Sequence, residues 1–313
     1  MPSRRRPSPA PAPPLILAAL LILITLRIPT APAQAQTLPP QPGDDRTNDG
    51  PFFQLVCTPG QRHADNLFNW PRGQSQTHEH QFFGSVAAPS GDHSSAAARA
   101  AATTCNDTRD TAAYWVPTLY DSAGRLHTPH RLRVSSYRHA DDPSALRAFP
   151  PGLQMTAGDP FATAPQPLGV VDWLCRKKLN QSAGYPLQRS DPPTCRPDEY
   201  LSVSIRFPDC WNGTDPTSYD NRRHVAYSDA DGRCPAGFPV KLPKMRYSIT
   251  YDADGGFSGG PFTLGGLRGQ RETLGVHGMH GRFWNTWNQE RLERYVRECL
   301  VFGRTVGVAA CQR

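Results

Sequence analysis

The sequence has few long apolar runs and none of the short motifs that mark the common enzyme classes. Its one sustained apolar stretch, Leu15 to Leu26, is shorter than the roughly 20 residues a membrane-spanning helix needs. There is no G-x-S-x-G, which disfavours a hydrolase built on a nucleophile elbow. There is no H-E-x-x-H, because the stretch at position 78 reads His-Glu-His-Gln and lacks the i, i+4 spacing of a helical zinc pair. The absence of a phosphate-binding loop and of a dinucleotide fingerprint argues against nucleotide chemistry. No C-x-x-C pair occurs, which argues against a zinc ribbon or a thioredoxin-type redox site. Charged residues make up only 19% of the chain, with no Lys/Arg stripe interleaved with aromatics, so nucleic acid is not an expected partner. Hydrophobic residues are also sparse, at 38% of 313, yet 13 Phe, 10 Tyr and 6 Trp suffice to build a core. Proline is in excess: 33 residues, about twice the usual share, argue against a helical bundle.

The N-terminal segment reads as an export signal rather than as part of a fold. Arg4, Arg5 and Arg6 precede the apolar run, and A-x-A sites follow at Ala31–Ala33 and Ala33–Ala35. Cleavage near Ala33 or Ala35 predicts a secreted protein without a membrane span; the alternative is an uncleaved N-terminal anchor. Loss of residues 1–35 removes four arginines and no acid, which lowers the net charge from +7 to +3. Eight cysteines in an exported chain read as four disulfides. The short loops favour Cys175–Cys195 and Cys210–Cys234, each pinning a Pro/Gly-rich excursion; the remaining pairing stays open.

Residues 36–50 carry no apolar period and read as a Pro-rich linker. Leu201–Phe207 and Met245–Tyr251 alternate strictly and predict half-buried strands, ended by Pro208 and by the turn residues from Asp252. Shorter candidates are Tyr114–Tyr120, Arg131–Tyr137 and Leu153–Thr156. In Asn288–Leu300, Leu292, Tyr295, Val296, Cys299 and Leu300 fall on one helical face. Ser94–Ala102 is Ala-rich and predicts a second, short helix. The expected fold is mainly β, α+β at most. It is a single disulfide-bonded domain over residues 51–313, with a β-sheet core, long irregular loops and one C-terminal α-helix.

Candidate chemistry concentrates in a few stretches. His78 and His80 share a face if their segment is extended, which suits metal ligation or a paired acid and base. Ala157-Gly158-Asp159-Pro160 offers a carboxylate in a turn, although an Asx-turn role is the ordinary one for such a residue. Asp220 and His224 lie close in the chain, and His277 and His280 sit among glycines that let backbone approach a ligand. Cys210-Trp211 follows a predicted strand, where a disulfide against an indole is usually core.

Taken in order, several stretches resemble a family. They are His78-x-His80-x-Phe82-Phe83-Gly84, Tyr114-Trp115-Val116-Pro117-x-Leu119-Tyr120, and Phe149-Pro150-x-Gly152-Leu153-x-Met155-x-Ala157-Gly158-Asp159-Pro160. Phe207-Pro208-x-Cys210-Trp211-x-Gly213, His224-Val225-Ala226-Tyr227 with Cys234-Pro235, and His280-Gly281-x-Phe283-x-Asn285-x-Trp287 follow. The set resembles the secreted fungal and actinobacterial proteins grouped as domain of unknown function 1996, over roughly residues 51–300. The chain departs from that pattern at Asn212 and Arg282, where the family has Asp, and at Asn221, where it has His. A carboxylate-dependent activity of the family would be altered here.

Three functions are expected from these residues. One is hydrolysis of an extracellular polysaccharide or wall polymer in a cleft lined by His78, His80, Asp159, Asp220, His224 and His280. Asp159 and Asp220 would be the carboxyl pair, and Trp211, Trp284 and Trp287 would stack on sugar faces. The second is a non-catalytic carbohydrate-binding or wall-associated module carried by the same tryptophans. The third is a metal site made by His78, His80 and one of His224 or His280, with an open position for water. The sequence identifies neither a cofactor nor the metal, and it does not set the oligomeric state.

Overall fold

The two strictly alternating runs become paired central strands. In the computed structural model they span Glu199–Arg206 and Lys244–Asp252 and run antiparallel, with Val203 opposite Ile249. The structure describes residues 51–64, 78–88, 95–139, 142–177, 187–252, 261–266, 274–304 and 311–312. These lie within one compact unit, Leu38–Arg313; the predicted leader (1–35) and linker (36–50) lie outside the described residues.

Strands are numbered β1 to β18 along the chain. The largest sheet has six strands in the order β18 (Cys311–Gln312), β1 (Phe52–Cys57), β7 (Pro129–Tyr137), β14 (Lys244–Asp252), β10 (Glu199–Arg206) and β9 (Val171–Lys177). A five-stranded sheet has the order β2 (Arg62–His63), β3 (His80–Gly84), β4 (Ala113–Pro117), β17 (Gly281–Trp284) and β8 (Gln154–Ala157). Two small sheets accompany them. One is β16 (Leu274–Gly275), β15 (Thr263–Leu264), β5 (Leu119–Tyr120) and β6 (Leu126–His127); the other is β12 (Val225–Ala226), β11 (Cys210–Trp211) and β13 (Val240–Lys241). Every pairing between these strands is antiparallel. The expected mainly β class is observed.

The two large sheets share one apolar core. Leu201, Val203, Ile205, Tyr247 and Ile249 come from the six-stranded sheet, and Phe83, Tyr114, Val116, Met155 and Phe283 from the five-stranded one. The Tyr114 and Tyr247 rings meet edge to face at 5.8 Å, and the Tyr247 hydroxyl donates to the Arg282 carbonyl at 2.9 Å. Gly281 permits that approach: a Cβ there would sit 3.0 Å from the Phe207 ring and 3.1 Å from that of Tyr247.

The five-stranded sheet is covered on its other face as well. Phe82, Ala113, Trp115 and Trp284 form a second apolar cluster with Ala88 and with Ala98 of helix α1 (Ser95–Ala100). Burial on both faces explains why β3, β4 and β17 are buried at every position and show no alternation. Helix α2 (Gln289–Tyr295) starts at Asn288, whose side chain accepts from the Arg291 amide, and runs on into a π-helical segment, Val296–Val301. Leu292, Tyr295, Val296, Cys299 and Leu300 are buried, as the helical period requires. Among the described residues no helix is long and apolar enough to cross a membrane.

Four disulfides close the fold: Cys57–Cys105, Cys175–Cys195, Cys210–Cys234 and Cys299–Cys311. The two short-loop pairs agree with the sequence reading, and no cysteine is free. Thiol labelling of the denatured, non-reduced protein should therefore give no signal; two or more labelled cysteines would contradict this connectivity.

Candidate metal centre

Extended backbone places His78 and His80 on one side of the chain. The Glu79 amide donates to the Gly265 carbonyl at 2.8 Å, and the Glu79 carbonyl accepts from the Thr118 amide at 3.0 Å, so residue 79 is pinned on both edges. The Glu79 side chain accepts from the Tyr120 hydroxyl at 2.8 Å and pairs with Arg62. The flanking imidazoles come together, with centroids 4.2 Å apart. Gly265, with φ of +75°, fits against them: a Cβ there would lie 2.4 Å from that of His78.

His280 arrives from the other side of β4, where a 3-10 turn (Val276–Gly278) leads into β17. Its Nδ1 donates to the Gly278 carbonyl at 2.8 Å, which leaves the lone pair on Nε2. That Nε2 lies 3.3 Å from Nε2 of His80. Two ligands about 2.0–2.1 Å from a tetrahedral zinc ion are separated by an edge of about 3.3–3.4 Å. Ring nitrogens of His78, His80 and His280 all lie within 4.8 Å of one another, and the three side chains are 5%, 2% and 0% exposed.

The electrostatics favour the neutral, ligating form. Burial holds the His80 imidazole well below its ordinary pKa, and the charges of His78, Arg282 and His280 add to this. Burial does the same for His280, helped by His78 and Arg282. A hydrogen bond from His80 Nε2 to His280 Nε2 would satisfy that pair alone. It would leave His80 Nδ1 as a buried acceptor with no partner. A cation shared by the three rings uses the converging lone pairs instead.

The neighbouring side chains sit in register on this face. Arg282 is opposite Trp115 on β4 and Thr156 on β8. Burial lowers the Arg282 guanidinium to about 10, and the Thr156 hydroxyl is buried without a hydrogen-bond partner. Gln166 was not singled out from the sequence, yet it braces the His280 segment. Its side-chain amide donates to the His277 and Met279 carbonyls at 2.6 and 2.8 Å, and its carbonyl accepts from the Asp159 amide. No spacing or composition cue marks a glutamine for that role.

The structure gathers only part of the expected cleft. His224 is not a member of the cluster; its Nδ1 lies 2.8 Å from the Ser218 hydroxyl, and burial lowers its pKa. Asp220 accepts from the Arg222 and Arg223 amides and from Ser218. Partial burial pushes its carboxyl up, but these hydrogen bonds outweigh that and hold it below its ordinary value. A carboxyl kept ionised in this way is a poor general acid. Asp159, half exposed, accepts from the Phe161 amide and pairs with Arg222 at 3.4 Å, which is the turn role. The sugar-stacking expectation fails for Trp284 and Trp287. Both are buried, Trp284 in the outer apolar cluster and Trp287 with its indole N–H donating to Tyr114. Trp211 is half-buried and donates to the Asp215 carbonyl. The glycines around His280 serve packing rather than ligand approach: Gly278 abuts the Pro160 carbonyl, and Gly281 the core rings.

The family profile described as Domain of unknown function (DUF1996) matches residues 69–287, most of the described fold and all three clustered histidines. The chain belongs to this family. No curated protein and no solved structure matches it. Of the three positions that the sequence reading set apart from the family pattern, Asn212 caps an exposed turn, accepting from the Thr214 and Asp215 amides. Asn221 takes a left-handed conformation, with φ of 52°, and donates to Gln154; asparagine tolerates that conformation better than most residues. Arg282 alone lies beside the histidines.

Proposed function

We propose that this DUF1996 protein acts outside the cytoplasm and holds one divalent transition-metal ion on His78, His80 and His280. Three neutral imidazoles with a fourth position open to water are the ligand set of hydrolytic zinc sites. The chemistry such a centre supplies is a water made acidic enough to attack a carbonyl or phosphoryl carbon or phosphorus of a wall or extracellular polymer. The converging, buried ring nitrogens, with two of them 3.3 Å apart, carry this reading. Four disulfides support export, since disulfides persist in oxidising compartments. A two-carboxylate glycosidase mechanism receives no support, because Asp220 is held ionised and Asp159 pairs with Arg222.

The near-complete burial of the three rings favours a second reading, in which the ion is structural and ties β3 to the turn before β17. Elemental analysis of protein purified from culture medium tests the shared premise, with one equivalent of zinc, copper or a similar ion per chain expected. Less than about a tenth of an equivalent after incubation with excess metal would refute both readings. The cobalt-substituted protein separates them. A change in its visible spectrum on adding azide shows an open position, and an unchanged spectrum assigns a structural ion.

A further inference from the structure

Away from the histidines, the start of helix α2 carries two adjoining hollows rich in arginine. The larger, about 430 Å³, is lined by Arg99, Thr108, Arg109, Pro151, Trp287 and Asn288 among others. The smaller, about 270 Å³, is lined by Arg109, Asn288, Glu290, Arg291 and Arg294. Arg109 and Asn288 line both. Among the described residues, Arg291 is paired, with Asp107 at 2.9 Å. Arg99, Arg109 and Arg294 have no carboxylate partner, and Glu290 is the only acid in either wall. Uncompensated guanidinium groups in a concave site favour an anion, and their planar forks match carboxylates and phosphates. Asn288 and Thr108 add an amide and a hydroxyl, groups that can meet sugar hydroxyls, and Pro151 adds a small apolar surface beside them.

We infer that this double hollow binds an acidic oligosaccharide whose carboxylates repeat along the chain, one in each hollow, with Arg109 reading both. The inference is independent of the metal centre, since none of the three histidines lines either hollow. Two compartments that share an arginine suit a repeating acid better than one small anion.

Titration calorimetry of the full chain with a defined-length oligogalacturonate tests it, with a neutral dextrin of equal length and a single-stranded DNA as controls. The uronate is expected to bind, the dextrin not to, and binding is expected to weaken as salt rises. Arg109→Ala should weaken binding at least about tenfold, the loss of one hydrogen bond to a charged group. The Arg109 side chain is exposed and holds no other side chain among the described residues, so the thermal midpoint should not move. Arg294→Ala gives a second reading and should also weaken binding. Absence of uronate binding, equal binding of the dextrin, DNA bound as tightly as the uronate, or uronate affinity unchanged in both variants would overturn the proposal.

Discussion

Replacing His80 by alanine should leave the purified protein without its metal ion. His80 supplies the nitrogen 3.3 Å from His280, and no other His, Cys, Asp or Glu among the described residues belongs to that cluster. Two remaining imidazoles form a much weaker site, and the loss should exceed the roughly 10–100-fold that outer-shell changes cause. Stability separates this outcome from simple damage to the fold. A bound ion stabilises the folded state by about 2.7 kcal/mol at a hundred times its Kd. The metal-loaded wild type should therefore melt higher than the variant, while the two metal-free proteins should melt close together. They stay close because two effects oppose: the truncation opens a cavity, and it also removes a buried nitrogen that lacks a partner. Gly265→Ala is the complementary change. It keeps all three ligands but forces a left-handed backbone on alanine and drives a Cβ into that of His78, so metal affinity and stability should fall together. If His80→Ala retains a full equivalent of metal, the assignment of the centre is wrong.

The parts of the structure legible in the sequence are those where apolar and polar side chains take opposite faces. In Leu201–Phe207 and Met245–Tyr251 the large apolar residues enter the core while Ser202, Ser204, Ser248 and Thr250 take the other face. That face is buried as well, rather than half exposed as the alternation predicts; the stripe from Leu292 to Leu300 is the helical counterpart. The five-stranded sheet does not obey it. Ala113–Pro117 is buried throughout because Tyr114 and Val116 enter the main core while Ala113 and Trp115 enter the outer cluster. The same double cover takes Trp284 out of reach of a sugar. In β9, Asp172 hides a strand by looking polar; it is fully buried and paired with Arg206 at 2.6 Å. The histidine pair was legible because i and i+2 share a face wherever the backbone is extended. The third histidine of the cluster, 200 residues away in the chain, came from family resemblance rather than from any local pattern. His139 shows the other side of this. It is a buried histidine near the Gly232 and Leu242 carbonyls that no motif distinguishes from a ligand.

The metal-stripped protein should lose stability as the pH falls from 7 to 5. Burial is the largest cause that lowers both His80 and His280 below 6.5. His80 also faces His78, Arg282 and His280, while His280 faces His78, Arg282 and Arg222. A histidine whose folded pKa is depressed stays neutral while the unfolded chain takes up a proton. Its contribution is complete above the unfolded value of about 6.5 and is lost as the pH drops below it. Each such group costs about 1.4 kcal/mol per pH unit in that range. Asp110 works in the opposite direction. Burial raises its carboxyl well above the ordinary value, so the folded state holds a proton that the unfolded state has released, and acidification favours folding. His127 and His224, also lowered by burial, add to the loss, and Asp172, raised by burial, opposes it with Asp110. The histidines outnumber the carboxyls, so the net slope should be a loss of stability on acidification. Asp110→Asn removes one of the opposing titrations and so exposes more of the histidine contribution. An asparagine oxygen can still accept from the Tyr114 hydroxyl and the Ala112 amide, so the local bonds survive while the opposing titration is removed. Urea unfolding in chelator at pH 7, 6 and 5 should show a loss in the wild type and a steeper loss in the variant. Stability that is flat or rises between pH 7 and 5 in Asp110→Asn would mean that His80 and His280 are not held neutral by burial.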